Sequence, residues 1–177
     1  DKAIAAAKAS KTAKLFWSWE EMLANNKNGY FPYTPATNLL YGLAEAIDML
    51  NEEGLENVFA RHKRHGEATR RALAAWGLEN LILDDRHFSP VLTAVVMPEG
   101  HNADTFRKIA LDHFDISLGT GLSKVAGRVF RIGHLGDVNE GMQIGALGIT
   151  EMALSLAGIP HKKGGTQAAI DYLASSI

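Results

Sequence analysis

The chain has 177 residues, is 46% hydrophobic and carries a formal net charge of −2. It is long enough to bury one core, and its charge gives no reason to expect nucleic acid or an anionic membrane as a partner. It contains no cysteine, which excludes disulfides, thiolate metal sites and a cysteine nucleophile. No apolar run approaches the roughly 18 residues that a membrane-spanning helix needs, and the default expectation is a cytoplasmic protein.

The N-terminal segment predicts a helix followed by an aromatic cluster. Residues 1–7 have neither an initiator methionine nor the layout of a secretory signal, and residues 2–9 are alanine-rich and helix-prone. We therefore expect the chain to begin inside a helix of a longer protein. Residues 15–33 then concentrate six aromatic residues: Phe16, Trp17, Trp19, Tyr30, Phe31 and Tyr33. Such a cluster needs a partner surface, either this chain's own core or a missing domain or second subunit.

Two long helices are predicted next. Thr34-Pro35 is typical of a helix start, with Thr34 as the N-cap and the proline at the first helical position. One apolar stripe follows before Gly54: Leu39, Leu40, Leu43, Ile47 and Leu50. The second helix is predicted from about Glu56 to Trp76, with Gly77 as its end. Four of its residues are expected to face inward: Val58, Phe59, Leu73 and Trp76.

The second half of the sequence alternates strands and helices. Strands are predicted at residues 81–83, 91–97, 115–118 and 129–132, and the second is apolar on both faces, as in a central strand. Asn102 is expected to cap a helix over residues 105–113. Asp137 and Glu140 resemble a capping box for a helix that extends to about Ala157, and a last helix covers 166–175. This order predicts a two-layer α+β domain with an antiparallel or mixed sheet.

Arg131 is the candidate for binding a substrate. Side chains alternate between the faces of a strand, so Arg131 points away from the apolar Phe130 and Ile132. A guanidinium held on that opposite face is suited to gripping a carboxylate through two parallel hydrogen bonds. The alternative interpretation is an arginine exposed to solvent on the open face of a sheet.

Thr34 and Tyr33 also allow two interpretations. The Thr34 hydroxyl and the free amides of a first helical turn could hold a phosphate, and the Tyr33 phenol could add a hydrogen bond. Alternatively, Thr34 is only a helix cap and Tyr33 only packs. The glycine-containing loop at 118–127 matches neither the Walker nor the dinucleotide-binding pattern, and we expect an ordinary mobile loop there.

Other kinds of site have little support. His62 and His65 lie three residues apart on a helix, but there is no HExxH pattern and no carboxylate completes a ligand set, so no metal is expected. No serine stands in a nucleophile-elbow sequence. The basic residues of the same helix predict a solvated face rather than a phosphate-binding stripe: Arg61, Lys63, Arg64, Arg70 and Arg71.

Four longer motifs carry a family resemblance. They are YFPYTPATNLLYGL at 30–43, GLENVFARH at 54–62, DHFDISLGTGL at 112–122 and VFRIGHLGD at 129–137. In order and spacing they resemble the C-terminal portion of the class V, fold-type I pyridoxal-phosphate aminotransferases, over essentially the whole chain. The forms PYTPATN and FRIGHLGD are closer to the serine–glyoxylate branch of that family than to the animal alanine–glyoxylate branch.

The resemblance implies roles for the two domains and for the candidate residues. Residues 1–50 would be the tail of the large cofactor-binding domain with the interdomain helix, and residues 51–177 the small C-terminal α+β domain. Arg131 matches the arginine that binds the substrate α-carboxylate, and Thr34 a threonine that reaches the cofactor phosphate in the neighbouring subunit of a homodimer. Tyr33 is assigned as the accompanying tyrosine, although the family spacing points nearer Phe31, which has no hydroxyl.

The resemblance also implies an activity. The parent enzyme would use pyridoxal 5'-phosphate to transfer the amino group of serine to glyoxylate, giving hydroxypyruvate and glycine. The family's Schiff-base lysine lies upstream, in a Ser-x-Gln-Lys segment that this sequence does not contain. We therefore expect no catalytic residue here, and neither activity nor bound cofactor for this chain alone. The alternatives are an alanine–glyoxylate or other class V aminotransferase, or a non-catalytic dimerisation or binding module.

Overall fold

The computed structural model describes residues 1–176, which divide into two compact units. The first unit comprises Asp1–Glu52, and the second comprises the described residues from Glu53 onward. Within the described part of the chain, no helix combines the length and the apolar character needed to cross a membrane.

The first unit is helical and has no buried core. It contains α1 (Lys2–Ala9), α2 (Trp19–Asn26) and α3 (Thr37–Glu53), whose last residue belongs to the second unit. No residue of this unit is buried, and even Trp17 is 77% exposed. The sequence left open whether the aromatic cluster packs into this chain's own core or against a missing domain or second subunit. The exposure of these residues argues against the first possibility.

The start of α3 differs from the sequence-based prediction. The backbone N–H of Leu40 donates to the Ala36 carbonyl over 3.2 Å, and this is the first hydrogen bond of the helical ladder. Ala36 therefore occupies the N-cap position, and the prediction that Thr34 caps this helix is wrong. The chain from Thr34 to Ala36 is not yet helical, because the N–H of Thr37 is taken by the Pro35 carbonyl at 2.9 Å.

The second unit packs four helices against one antiparallel sheet. The helices are α4 (Leu55–Trp76), α5 (Ala103–Phe114), α6 (Glu140–Leu156) and α7 (Gly165–Ser175). The strands are β1 (Glu79–Asn80), β2 (Leu92–Val96), β3 (Gly119–Thr120) and β4 (Val129–Gly133). They are arranged in the order β1-β2-β4-β3, and each neighbouring pair is antiparallel. The predicted α+β class is confirmed.

One face of this sheet is buried under the helices, and the opposite face is open. Thr93 and Val95 of β2 and Phe130 and Ile132 of β4 are all buried. Phe130 packs on Phe106 of α5 with 4.7 Å between the ring centroids. The intervening residues of the two strands point to the opposite face, where Leu92, Ala94, Val96 and Arg131 are only half-buried, while Val129 at the start of β4 is buried.

Several element boundaries in this unit correct the sequence-based predictions. The third strand is β3, not 115–118, because Asp115 adopts the left-handed conformation (φ 53°) as the C-cap of α5. Asn139 caps α6 by accepting a hydrogen bond from the Met142 N–H at 2.9 Å, so the predicted Asp137–Glu140 capping box is wrong. Phe59 was predicted to face inward, yet it is 51% exposed.

Candidate functional site

Arg131 lies near the middle of β4, on the open face of the sheet, between two small residues. Its cross-strand partners are Ala94 of β2 and Gly119 of β3. Phe130 and Ile132 are 0% and 2% exposed on the opposite face. The alternation inferred from sequence is therefore correct, because the buried neighbours fix the orientation of the strand and leave the arginine only one direction to point.

The guanidinium of Arg131 has no partner within the described residues. Its Nε is buried and makes no hydrogen bond. Six of the eight arginines pair with carboxylates; among the described side chains the other two, Arg128 and Arg131, do not, and of these only Arg131 is half-buried. A partly desolvated guanidinium without a counter-charge is unfavourable on its own and favours binding of an anion, above all a carboxylate.

The loop that follows Arg131 is held by α4. The backbone N–H of Gly136 donates to Nε2 of His62 over 3.1 Å, and Nη1 of Arg61 donates to the Gly136 carbonyl over 2.7 Å. His62 Nδ1 is 2.7 Å from the Val58 carbonyl, which makes Nδ1 the donor and leaves Nε2 free to accept. Arg61 is itself held by Glu53 at 2.6 Å. Both peptide groups of the loop glycine are thus anchored.

Sequence reasoning missed this anchor. Arg61 was predicted to lie on a solvated face, but its side chain is only 21% exposed because it reaches across to the loop. The only signal in the sequence was the joint occurrence of two motifs, one containing Arg61 and His62 (54–62) and the other containing Gly136 (129–137). The structure shows that these two motifs are joined by direct hydrogen bonds.

Two further histidines are buried near this anchor. His134 is 1% exposed, its Nε2 lies 3.1 Å from the Thr93 hydroxyl, and burial lowers its pKa to about 4. His65 is fully buried, and burial likewise lowers its pKa. Histidines in this state are neutral at pH 7. In the part of the chain that the structure describes, no cluster of three or more His, Cys, Asp or Glu side chains could hold a metal ion.

Tyr33 and Thr34 lie in the first unit, beside a small apolar depression. Its volume is about 230 Å³, and its lining includes Phe16, Met22, Phe31, Tyr33, Thr34 and Pro35. The Tyr33 ring packs against Phe16 with 5.5 Å between centroids. Thr34 is exposed, and its hydroxyl makes no hydrogen bond with any described residue. An exposed hydroxyl without a partner is compatible with a ligand phosphate, whereas the cap role proposed from sequence is not observed.

None of the lysine side chains within the described residues is buried. Nine of the ten are exposed, and Lys14 is half-buried. A lysine that forms a covalent bond to a carbonyl cofactor is normally desolvated, because burial favours the neutral, nucleophilic amine. None of these lysines lies in such an environment.

Comparison with known proteins identifies relatives along the whole chain. No protein-family model matches it. The serine–glyoxylate aminotransferase of Arabidopsis thaliana is 47% identical over 178 residues, an alignment that covers 99% of this chain and 44% of that protein. The enzyme of the same name from Methylorubrum extorquens is 48% identical over 164 residues, covering 92% of this chain and 41% of that protein.

A solved structure agrees with these sequence matches. The crystal structure of pyridoxamine–pyruvate aminotransferase from Mesorhizobium loti superposes with a TM-score of 0.86 at 29% identity, covering 100% of this chain and 46% of that one. The chain therefore spans less than half the length of the proteins that it resembles. Over essentially its full extent, it matches the C-terminal portion of the class V aminotransferases, with serine–glyoxylate aminotransferases among its relatives.

Proposed function

We propose that the protein containing this chain is a pyridoxal-phosphate-dependent transaminase that moves the amino group of serine to glyoxylate, giving hydroxypyruvate and glycine. The relatives named above support the reaction, because they carry this activity in their names and share nearly half of the residues of this chain. The observation that carries the proposal is Arg131, a half-buried guanidinium without a counter-charge among the described residues.

Arg131 would hold the α-carboxylate that both substrates share. Serine and glyoxylate differ at the reacting carbon, but each bears a carboxylate directly next to it. A planar guanidinium can bind that group through two parallel hydrogen bonds, which fixes both the position and the orientation of the reacting carbon. Fixing the substrate in this way contributes to catalysis by proximity, and the same residue serves both halves of a transamination.

Thr34 and Tyr33 would contact the cofactor phosphate. The exposed hydroxyl of Thr34 can donate to a phosphate oxygen, and the Tyr33 phenol could add a second hydrogen bond. We propose that they do so across the interface of a homodimer, as the family resemblance implies. When bound, pyridoxal phosphate supplies the electron sink for the proton shift. The lysine that carries it would lie outside this sequence.

The same assignment extends to the domains. We propose that residues 1–50 form the tail of the large cofactor-binding domain and that residues 51–177 form the small C-terminal domain. The absence of a buried residue in the first unit supports its being part of a larger body, since a segment of this hydrophobicity gains its stability from burial. The cytoplasm remains the proposed compartment.

The choice of amino donor rests on the relatives rather than on this chain. The structural neighbour from Mesorhizobium loti is named for different substrates yet has the same fold over this region, and a fold does not fix a substrate. Arg131 would bind only the carboxylate, which all the candidate substrates share, and so it does not distinguish between amino donors. An alanine–glyoxylate or another class V transaminase is therefore the alternative that a substrate screen must address.

The test is an assay of the complete protein, loaded with pyridoxal phosphate, with serine or alanine as donor and glyoxylate as acceptor. We expect serine to be preferred. Arg131→Ala should lower kcat/KM for serine and glyoxylate by roughly 30-fold to several thousand-fold, which corresponds to a loss of about 2–5 kcal/mol in transition-state stabilisation. Cofactor binding should persist. Arg128→Ala, which removes an exposed arginine of the same segment, is the matched control. Unchanged kinetics in Arg131→Ala would contradict the assignment, and a preference for alanine would favour the alternative.

A further inference from the structure

Gly119 lies directly opposite Arg131 in the neighbouring strand β3. A Cβ atom built at this position would lie 3.0 Å from the Cβ and 3.2 Å from the Nε of Arg131. Both distances are shorter than ordinary van der Waals contacts, which begin near about 3.5 Å between carbon atoms. Gly119 does not have a positive φ, so its backbone conformation does not demand glycine. A side chain at this position would therefore crowd Arg131, which would have to shift to accommodate it.

The arginine leans toward this glycine. Ala94, the partner of Arg131 on its other side, carries a Cβ. A Cβ at Gly119, in contrast, would lie close to both Cβ and Nε, the two ends of the aliphatic stem of Arg131. The buried Nε of Arg131 is thus covered from the β3 side. Covering the stem and Nε limits the side chain to few rotamers.

We propose that Gly119 is a positioning residue for the carboxylate site: its lack of a side chain lets Arg131 lie across β3 in the one orientation that presents both terminal nitrogens to the substrate. This inference rests on the proposed function of Arg131. Gly119 touches neither the substrate nor the reacting atoms and acts through the arginine. Gly119 would thereby contribute to specificity, because a displaced guanidinium cannot form both parallel hydrogen bonds to a planar carboxylate.

The test uses the complete protein loaded with pyridoxal phosphate. Gly119→Ala should raise KM for both serine and glyoxylate by about threefold to tenfold, and Gly119→Val by more than about twentyfold, because the displacement of the guanidinium grows with the added side chain. The cofactor affinity should stay at the wild-type value, and kcat should change less than KM. Gly145→Ala is the matched control, since a Cβ there meets nothing within 4 Å and it lies in α6.

A second readout does not depend on turnover. The dissociation constant of 3-hydroxypropionate, which is serine without its amino group, can be measured by calorimetry. It should rise in the order wild type, Gly119→Ala, Gly119→Val. In the Arg131→Ala background, Gly119→Val should cause no further loss, because a residue that acts only through the arginine has nothing left to position.

The outcomes separate this inference from the proposal on which it rests. If Arg131→Ala weakens binding of the carboxylate and the Gly119 variants do not, the positioning role is wrong and the clamp stands. If Arg131→Ala has no effect, the clamp itself is wrong. Additive losses in the double variant, or a fall in cofactor affinity that parallels a fall in the melting temperature, would show general structural damage and overturn the positioning role.

Discussion

The carboxylate of Glu151 on α6 accepts hydrogen bonds from the backbone N–H and the hydroxyl of Thr166 in the first turn of α7, at 2.9 and 2.7 Å. It also accepts from the N–H of Gly164 at 2.6 Å. The N-cap residue of α7 is this glycine, which has no side chain to offer. The cap is therefore supplied by another helix, and a negative charge faces the positive end of the α7 dipole.

This cap makes the stability of the fold depend on acid. Burial raises the pKa of Glu151, but the hydrogen bonds from Thr166 and Gly164 outweigh burial and lower it from 4.5 to about 2. A carboxyl group with a depressed pKa in the folded state stabilises the fold above its unfolded pKa and loses that contribution as the pH falls. We expect the Glu151 contribution, about 1–3 kcal/mol at pH 7, to disappear between about pH 4.5 and pH 2.

Denaturant unfolding of Glu151→Gln at two pH values measures this contribution. The variant should be less stable than the wild type by about 1–3 kcal/mol at pH 7, and the difference should be smaller at pH 3. Glu99→Gln removes an exposed carboxylate with no hydrogen bond among the described residues and serves as the control. A difference between wild type and Glu151→Gln that does not change with pH would show that the carboxylate acts by shape and not by charge.

Gly165, the first residue of α7, is packed against the indole of Trp76. A Cβ at this position would lie 2.2 Å from Nε1 and 2.5 Å from Cδ1 of the ring. Trp76 is fully buried, so the ring cannot move aside without disturbing the core. We expect Gly165→Ala to lower the free energy of unfolding by about 1–3 kcal/mol through overpacking, as measured by chemical denaturation.

The control for this experiment is the same substitution in open space. Gly145→Ala introduces a methyl group on α6 that meets nothing within 4 Å. Alanine is the better helix former by about 1 kcal/mol, so this variant should be as stable as the wild type or more stable. A loss of stability in Gly145→Ala as large as that in Gly165→Ala would mean that the contact with Trp76 is not the cause.

The elements that could be predicted from sequence are those whose signals are local. The end of α3 follows from Gly54 and the end of α4 from Gly77, and the left-handed conformation of Gly77 (φ 73°) is the expected helix ending. The face that carries Arg131 follows from the alternation of β4. These signals need no knowledge of the rest of the fold, and the structure agrees with them.

The elements that could not be predicted depend on distant partners. β3 is a strand only because Gly119 and Thr120 pair with Arg131 and Phe130 of β4, whereas the β-rich composition of 115–118 pointed to the wrong residues. The half-burial of Arg64, whose side chain is 20% exposed, likewise depends on Glu140, which lies on another helix. Long basic side chains can lie along apolar surface and reach distant acceptors, and helical spacing does not reveal which ones do.

His134 predicts a second acid-sensitive step, at higher pH than that of Glu151. Burial lowers its pKa from 6.5 to about 4, and the positive charge of Arg70 adds to this effect, as do His65 and His62 if they become protonated. A histidine with a depressed pKa binds its proton more readily in the unfolded chain, so stability falls as the pH drops from about 6.5 to about 4. The expected loss is at most about 3 kcal/mol.

The slope of stability with pH tests this step better than stability at one pH. His134→Gln removes the titrating ring, and its free energy of unfolding should vary less between pH 7 and pH 4.5 than that of the wild type. His113→Gln replaces an exposed histidine and should keep the pH dependence of the wild type. An equally steep slope in His134→Gln would assign the acid sensitivity to other groups, of which the fully buried His65 is the first to test.

Thr34 provides the sharpest test of the proposed phosphate contact, because a conservative variant separates the hydroxyl from the rest of the side chain. In the complete protein, Thr34→Ala should weaken the binding of pyridoxal phosphate by about 10- to 100-fold, which corresponds to losing a hydrogen bond to a charged group worth about 1.5–3 kcal/mol. Thr34→Ser keeps the hydroxyl and should bind the cofactor nearly as well as the wild type.

The measurement is the dissociation constant of pyridoxal phosphate, followed by its absorbance as it is added to the protein freed of cofactor. KM for serine, measured with saturating cofactor, should remain unchanged in both Thr34 variants, because the carboxylate is assigned to Arg131. Tyr33→Phe tests the weaker assignment in the same way and should cost less, since the Tyr33 ring also packs on Phe16 and that contact is retained. Equal cofactor affinity in Thr34→Ala and Thr34→Ser would remove the hydroxyl from the site. In that case Thr34, which lies beside the apolar depression, would contact only another part of the protein and not the cofactor.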